Sequence, residues 1–283
     1  MPSRKLITAR QRRLGAELRR LRERAGLTIA QAAERLGADR TTVSNTESGR
    51  FGVSPQRVRT WAVHYECGDD AYVDALAAMA GERGSGWWEH YRGELSDDAL
   101  DLAELEHHAV AIRSVQIMYV PGLLQTEAYA RSVFAESVPP PSSPRQRRLL
   151  SHRLQRRDVL DRPDPPVCTF LIHEAALRMT CGGTEVARGQ LAALLVESDR
   201  RNVAIRVIPF TAGGFPFASS SAHYVCGPVP QLDTVQTDTA TGSSFLDAES
   251  SLESWRVALD RTEERALDPV SSRDFILKIT QQT

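Results

Sequence analysis

Apolar side chains recur every three or four positions over the first eighty residues, as Leu14, Leu18 and Leu21, then Ala32, Ala33 and Leu36, then Val43 alone, then Val58, Trp61, Ala62 and Tyr65, then Val73, Leu76, Ala77 and Ala80. Each set marks one buried face of a helix whose opposite face is polar. The spacing predicts five helices, the last over about 70–80. Their ends are signposted too. Thr28 followed three residues later by Gln31 fits a capping box, Asp39 offers an N-cap, and Ser54-Pro55 sets a capping serine before a proline at the first helical position. Gly37 ends the second helix, and Ala33 with Gly37 lets the second and third helices cross closely at a steep angle. The third helix is the unusual one. Val43 is its only strongly apolar residue, so Arg40, Thr41, Ser44 and Asn45 project outwards, as in a helix built to be read from outside.

Past residue 80 the periodicity changes. The run from Gly81 to Gly86 reads as a hinge, 81–86, between a first domain, 1–80 with its core at about 8–66, and a second, 87–283. In the second, residues 97–110 place Leu102, Leu105 and Ala109 on one helical face, 114–119 read as a short strand, and 126–136 and 144–161 as helices. A strand near 167–172, a helix over 186–198 and an alternating strand through Val203, Ile205 and Val207 follow. Residues 224–226 and 234–236 add strands, and 247–266 reads as a terminal helix ending before Asp268-Pro269. The pattern predicts an all-α N-terminal domain joined to an α+β C-terminal domain.

Total charge is close to zero, with 35 Arg and Lys against 36 Asp and Glu, but it is unevenly placed. Residues 1–66 hold 14 Arg or Lys against 6 Asp or Glu, a balance of +8, and the remainder holds 21 against 30, a balance of −9. The positive field therefore lies with the outward-facing helix, which is what phosphate contacts and counterion release require.

Leu27-Thr28, the Ala33 and Gly37 pair, the Val43-Ser44 step and Glu47-x-Gly49 occur together in register. By these residues the segment from about 8 to 66 resembles the lambda-repressor-like helix-turn-helix domain of the xenobiotic-response-element (XRE) regulators. The later runs Trp87-Trp88, Pro121 to Arg131, Glu174 to Arg178, Gln190-Leu191 and Ala266 to Pro269 resemble the C-terminal domain of an actinobacterial group of antitoxin-like regulators of the Scr type. That resemblance implies a very small partner protein encoded beside the gene.

Double-stranded operator DNA is the expected partner. Arg40 at the helix start can reach two acceptors on guanine, Asn45 can pair with adenine, Thr41 can touch a thymine methyl or a phosphate, and Ser44 completes the base-reading set. Thr28, Thr42 and Arg50 are candidates for phosphate oxygens, and Arg4, Lys5, Arg10, Arg12 and Arg13 either extend that contact or form a solvated tail. A dyad of two reading helices about one DNA turn (~34 Å) apart multiplies discrimination, so a homodimer is expected.

For the second domain the candidates are fewer. Residues 211–221, TAGGFPFASSS, offer Gly213 and Gly214 for close backbone approach and Phe215 and Phe217 as apolar area, as a ligand or partner loop or as an ordinary surface loop. Arg145, Arg147, Arg148, Arg153, Arg156 and Arg157 read as a surface for an acidic partner or as a solvated helix face. Thr126 stands at a helix start, as a structural cap or as part of an anion site. The histidines at 107, 108, 173 and 223 lack metal-ligand spacing, and no motif for a catalytic nucleophile, phosphate loop or zinc site is present. No enzyme, metal or cofactor is therefore expected. Cys67, Cys168, Cys181 and Cys226 are far apart and read as reduced thiols, and no apolar run reaches the ~20 residues of a membrane span. The expectation is a cytoplasmic, sequence-specific regulator whose C-terminal domain binds a small partner protein, dimerises, or both. The alternative is a regulator with a small-molecule pocket in that domain.

Overall fold

All five N-terminal helices are present in a computed structural model that describes residues 7–82, 86–239 and 242–283. They are α1 (Ala9–Arg24), α2 (Ile29–Arg35), α3 (Arg40–Glu47), α4 (Pro55–His64) and α5 (Asp70–Gly81). The chain divides into two compact units, Met1–Trp87 and Trp88–Thr283. Of the expected hinge, Gly81 closes α5 and residues 83–85 lie outside the described residues, as do Arg4 and Lys5.

The first unit is built on Leu14, Leu18, Leu21, Val43, Val58, Trp61 and Leu76, all buried, with Tyr72 and Met79 one turn either side of Leu76 on the same face of α5. Full burial of such a side chain stabilises by roughly 1.5–3 kcal/mol. Leu36, Val73 and Ala80, expected inward, are only half-buried. Gly15 lets α1 lie directly against the end of α3, where a Cβ would come within 2.6 Å of the Glu47 carbonyl oxygen and 2.7 Å of that of Thr46.

The second unit holds α6 (Asp97–His107), β1 (Ala111–Gln116), α7 (Glu127–Ala135), α8 (Ser143–Arg156), β2 (Val167–His173), α9 (Glu174–Arg178), α10 (Thr184–Glu197), β3 (Val203–Ile208), β4 (Ala222–Cys226), β5 (Thr234–Thr239), β6 (Gly242–Leu246), α11 (Glu249–Glu263) and α12 (Pro269–Gln282). The strands form one mixed sheet in the order β3-β2-β1-β4-β5-β6. The first three are parallel, with Ile112 opposite Cys168 and Phe170 opposite Ile205, and β4 to β6 run antiparallel. Helices cover both faces, as parallel strands require. Ile112, Phe170, Ile172 and Val207 pack with Leu191, Leu194, Ile276 and Ile279 of α10 and α12. Val115, Leu171, Tyr224 and Val235 meet Leu252, Trp255 and Leu259 of α11. The α+β expectation therefore holds.

Several elements differ from their expected limits, each for a physical reason. β1 begins three residues earlier than 114 because Arg113, which masks the strand pattern, is accommodated by Glu263 (3.0 Å) and Asp260 (2.8 Å) of α11. Residues 117–119 lead instead into the turn at Pro121, with Met118 and Tyr119 exposed. α6 stops at His107, and it buries Leu100, Ala103, Glu104 and Glu106 while Leu102 and Leu105 are half-buried. Glu106 is tolerated inside because Arg156 donates to both its oxygens, at 2.6 and 2.7 Å, and His223 Nε2 lies 3.0 Å from Oε1. The long helix expected to 161 ends at Arg156 and tightens into a 3-10 turn over Arg157–Leu160. The helix over 247–266 is not terminal. Asp268 accepts from Val270 and Ser271 N–H groups and, with Pro269 in the first turn, starts α12. The hydroxyl-rich strand β6 was not expected at all.

Candidate nucleic-acid interface

α2 and α3 are set by their own termini. Thr28 Oγ1 accepts from the Gln31 N–H while the Gln31 side chain accepts from the Thr28 N–H, a complete capping box. Gly37 takes φ +58°, the left-handed conformation that turns the chain between the helices. Asp39 stands at the N-cap of α3 with extended backbone, but its side chain makes no capping hydrogen bond, contrary to expectation. The first turn of α3 is closed by the backbone bond that Val43 N–H donates to the Asp39 carbonyl (3.1 Å), with the Val43 side chain fully buried.

The far end of α3 is anchored by a contact that sequence spacing does not reveal. Arg22 on α1 donates through Nε (2.7 Å) and Nη2 (3.0 Å) to the two Glu47 oxygens and through Nη1 to the Leu27 carbonyl (2.7 Å), all buried. The hydrogen bond that Arg22 donates to Glu47 raises the Arg22 pKa against the opposing effect of burial. Burial, reinforced by the Glu47 charge, pushes the Tyr65 hydroxyl upward as well. Val43, Thr46 and Glu47 face this interior.

The opposite face of α3 is open. Thr28, Ile29, Ala30, Arg40, Thr41, Ser44 and Asn45 line one open groove of about 570 Å³. All four residues proposed to read bases are therefore brought together, at i, i+1, i+4 and i+5 along α3, with Thr28 across from them. Arg40, Thr41 and Ser44 are exposed and Asn45 is half-buried. Thr42 is half-buried and outside the groove lining, and Arg50 is exposed just beyond α3, also outside it. Many cations of this unit are already matched, as in Arg10–Glu82, Arg13–Glu17, Arg19–Glu23, Arg35–Glu66 and Arg59–Asp74. Arg40 and Arg50 form no ion pair among the described residues, which leaves their guanidinium groups available to an anionic ligand. Sequence reasoning missed Ile29 as a groove residue, although its place directly after the cap Thr28 was legible.

The candidates in the second unit fare differently. Gly213 takes φ +68° and the Gly214 carbonyl accepts from Arg265 (2.6 Å), so the loop backbone is tied down. Phe215 turns inward toward His173 and the α11 side of the core, whereas Phe217 is 45% exposed and stacks on Trp255 at 4.4 Å. Phe210, at the start of the same loop, is 57% exposed and was not foreseen. The basic helix α8 is mostly spent on structure. Arg148 pairs with Glu94, Arg156 with Glu106 and Arg157 with Glu197, and Arg153 donates to Gln125 (2.7 Å), so only Arg145 and Arg147 are left exposed without an ion pair among the described residues. Thr126 caps α7 by accepting from Tyr129, and its own N–H donates to Gln190 (2.7 Å), so it serves as a structural cap. Among the described residues no group of His, Cys, Asp and Glu is arranged to hold a metal, and no helix is long and apolar enough to cross a membrane.

Comparison with known proteins agrees with the two-part layout. Residues 13–76 match the model of a helix-turn-helix domain, and residues 99–278 match that of a domain of unknown function, DUF5753. No curated protein and no solved structure matches the chain. The first match makes the N-terminal unit a helix-turn-helix DNA-binding domain and points to a regulator rather than an enzyme. Since the second covers more than half of the 283 residues, the chain belongs to the DUF5753 family, carrying its family domain behind a helix-turn-helix domain.

Proposed function

We propose that this protein is a cytoplasmic, sequence-specific transcription regulator that lays α3 in the major groove of operator DNA as a homodimer. The observation that carries the reading is the groove in which Arg40, Thr41, Ser44 and Asn45 converge on a helix whose other face is fixed by the buried Arg22–Glu47 pair. Rigid support on one side and solvent-facing polar groups on the other is what direct readout needs. Arg40 reads guanine and Asn45 adenine. Thr41 and Ser44 supply shorter contacts to base edges, and Thr28, Thr42 and Arg50 fix the register on phosphates. The test is footprinting of the parent against Arg40→Ala and Asn45→Ala. Both variants are expected to stay folded, keep salt-sensitive association with DNA and lose sequence preference. Footprints identical to the parent's would remove these residues as base readers.

The second unit, on this proposal, binds a small partner protein in the manner of antitoxin-like pairs and modulates DNA binding. The exposed aromatic rings of Phe210 and Phe217 on one loop support a protein contact. Co-purification of the product of a short neighbouring reading frame tests this reading. Thermal stabilisation by a small molecule alone, without that product, would favour the ligand-responsive alternative.

A further inference from the structure

Resting on the DNA-reading proposal, we infer that Ile29 is a specificity residue that reads the 5-methyl group of one thymine in each half-site. Ile29 is the first residue of α2 and is 36% exposed, while Ala32 and Ala33, one turn on, carry the helix's buried contacts at 0% and 4%. About a third of this branched apolar side chain is thus left uncovered by the fold itself. A β-branched residue adds nothing to helix propensity, and exposed apolar area is unfavourable in water. What distinguishes the position is its neighbourhood. Ile29 lines the groove with Arg40, Thr41, Ser44 and Asn45, and it is the one large apolar side chain among those lining residues.

In the major groove the polar edges of the bases offer donors and acceptors, and the single apolar feature is the thymine methyl. Polar side chains on α3 suit the former, and an isoleucine at the start of α2 suits the latter. With the N-terminal part of a reading helix at the base edges, the residues facing its first turn come within reach of the same step. Ile29 stands in that place opposite Arg40. Burying one methyl against a branched aliphatic chain is worth about 0.8 kcal/mol, or about fourfold in affinity.

The experiment replaces thymine by uracil, which removes the methyl and nothing else. The full chain selects its preferred duplex from a random pool. Each thymine of that duplex is then changed singly to uracil, and affinity is measured for the parent, Ile29→Ala and Ile29→Val, with circular dichroism confirming that helix content is kept. One thymine per half-site is expected to cost the parent about fourfold as uracil and to cost Ile29→Ala nothing, with Ile29→Val between them. If Ile29→Ala fails to fold, the reduced uracil penalty in Ile29→Val carries the same result. An enriched duplex without thymine, or one in which every uracil change affects parent and variants alike, overturns the assignment and leaves the DNA reading intact. An isoleucine resting on sugar or phosphate would give that second pattern. A pool that never enriches overturns both.

Discussion

Glu47→Ala leaves the Arg22 guanidinium at the junction of α1 and α3 without its close buried carboxylate, keeping the Leu27 carbonyl and a longer contact to Glu23 Oε1 (3.5 Å) as acceptors. Two charge-assisted hydrogen bonds at 2.7 and 3.0 Å are lost from a side chain that is only 6% exposed. Removal of one partner of such a pair costs about 3–5 kcal/mol. Against a total stability of about 5–15 kcal/mol for a domain, that is a large share. Three kcal/mol corresponds to roughly a hundredfold change in an opening equilibrium. Hydrogen exchange of the hydrogen-bonded amides from Val43 to Phe51 in the full chain reads it directly, because these amides are protected only while α3 is docked. Glu47→Ala is expected to lower their protection at least about a hundredfold. Replacing both partners, Arg22→Met with Glu47→Leu, is expected to restore it, since an apolar pair leaves no buried charge. Protection within threefold of the parent in Glu47→Ala would refute the view that this ion pair holds the reading helix.

Other expectations can be checked as readily. Gly15→Ala places a Cβ about 2.6 Å from the Glu47 carbonyl oxygen, so α1 and α3 must separate. Such overpacking costs about 1–3 kcal/mol, and a thermal melt matching the parent's would contradict that contact. In the second unit, burial together with neighbouring Arg156 brings the His152 pKa down to about 4. Burial opposes the charge on Glu106, yet Arg156 and His223 overcome it and bring that pKa down to about 2. Both folded values lie below the unfolded ones, so the unfolded chain takes up protons first and stability falls with pH, from about 6.5 to 4 through His152 and from about 4.5 to 2 through Glu106. The His152 leg amounts to roughly 3 kcal/mol, and urea melts of the full chain at pH 7, 5.5 and 4.5 should show it in the parent and not in His152→Gln. Flat stability across that range would contradict the burial of a neutral His152. Finally, Phe217→Ser should weaken capture of the neighbour-encoded small protein at least tenfold with DNA affinity unchanged, as read by co-purification and by anisotropy. Undiminished capture would exclude the loop as the partner surface.

The reading helix and its groove were legible because their signals are local. Thr28 with Gln31, Ser54 with Pro55, Ala33 with Gly37 and the lone Val43 are all settled within a turn or two of chain, and each is where the sequence puts it. Long-range polar contacts were not legible. Glu47 was visible only as part of the helix-turn-helix pattern, while its partner Arg22 lies 25 residues away. Glu106 lies off the face that Leu102, Leu105 and Ala109 mark in the sequence, yet 50 residues on Arg156 makes it an interior group, and that pairing also draws a helix of basic pattern into the core. Periodicity treats every carboxylate as outward, so it misjudges the buried face of α6. Asp268-Pro269 reads as a stop in the sequence and starts α12 in the structure, because a proline that ends one helix also suits the first turn of the next. β6 carries Gly242, Ser243 and Ser244 in place of branched residues, so nothing in its pattern announces a strand.

The central claim is that the open face of α3 occupies a duplex groove within a cationic surround. The most direct measurement is retention of fragments of the source genome by the full chain at about 50 mM salt, followed by titration of the bound fragments to about 200 mM. The account predicts that a small set of fragments is retained and that their affinity falls linearly on a log–log plot, with a slope near −0.9 for each phosphate neutralised. Retention of no fragment at the lower salt, or affinity indifferent to salt, would contradict it.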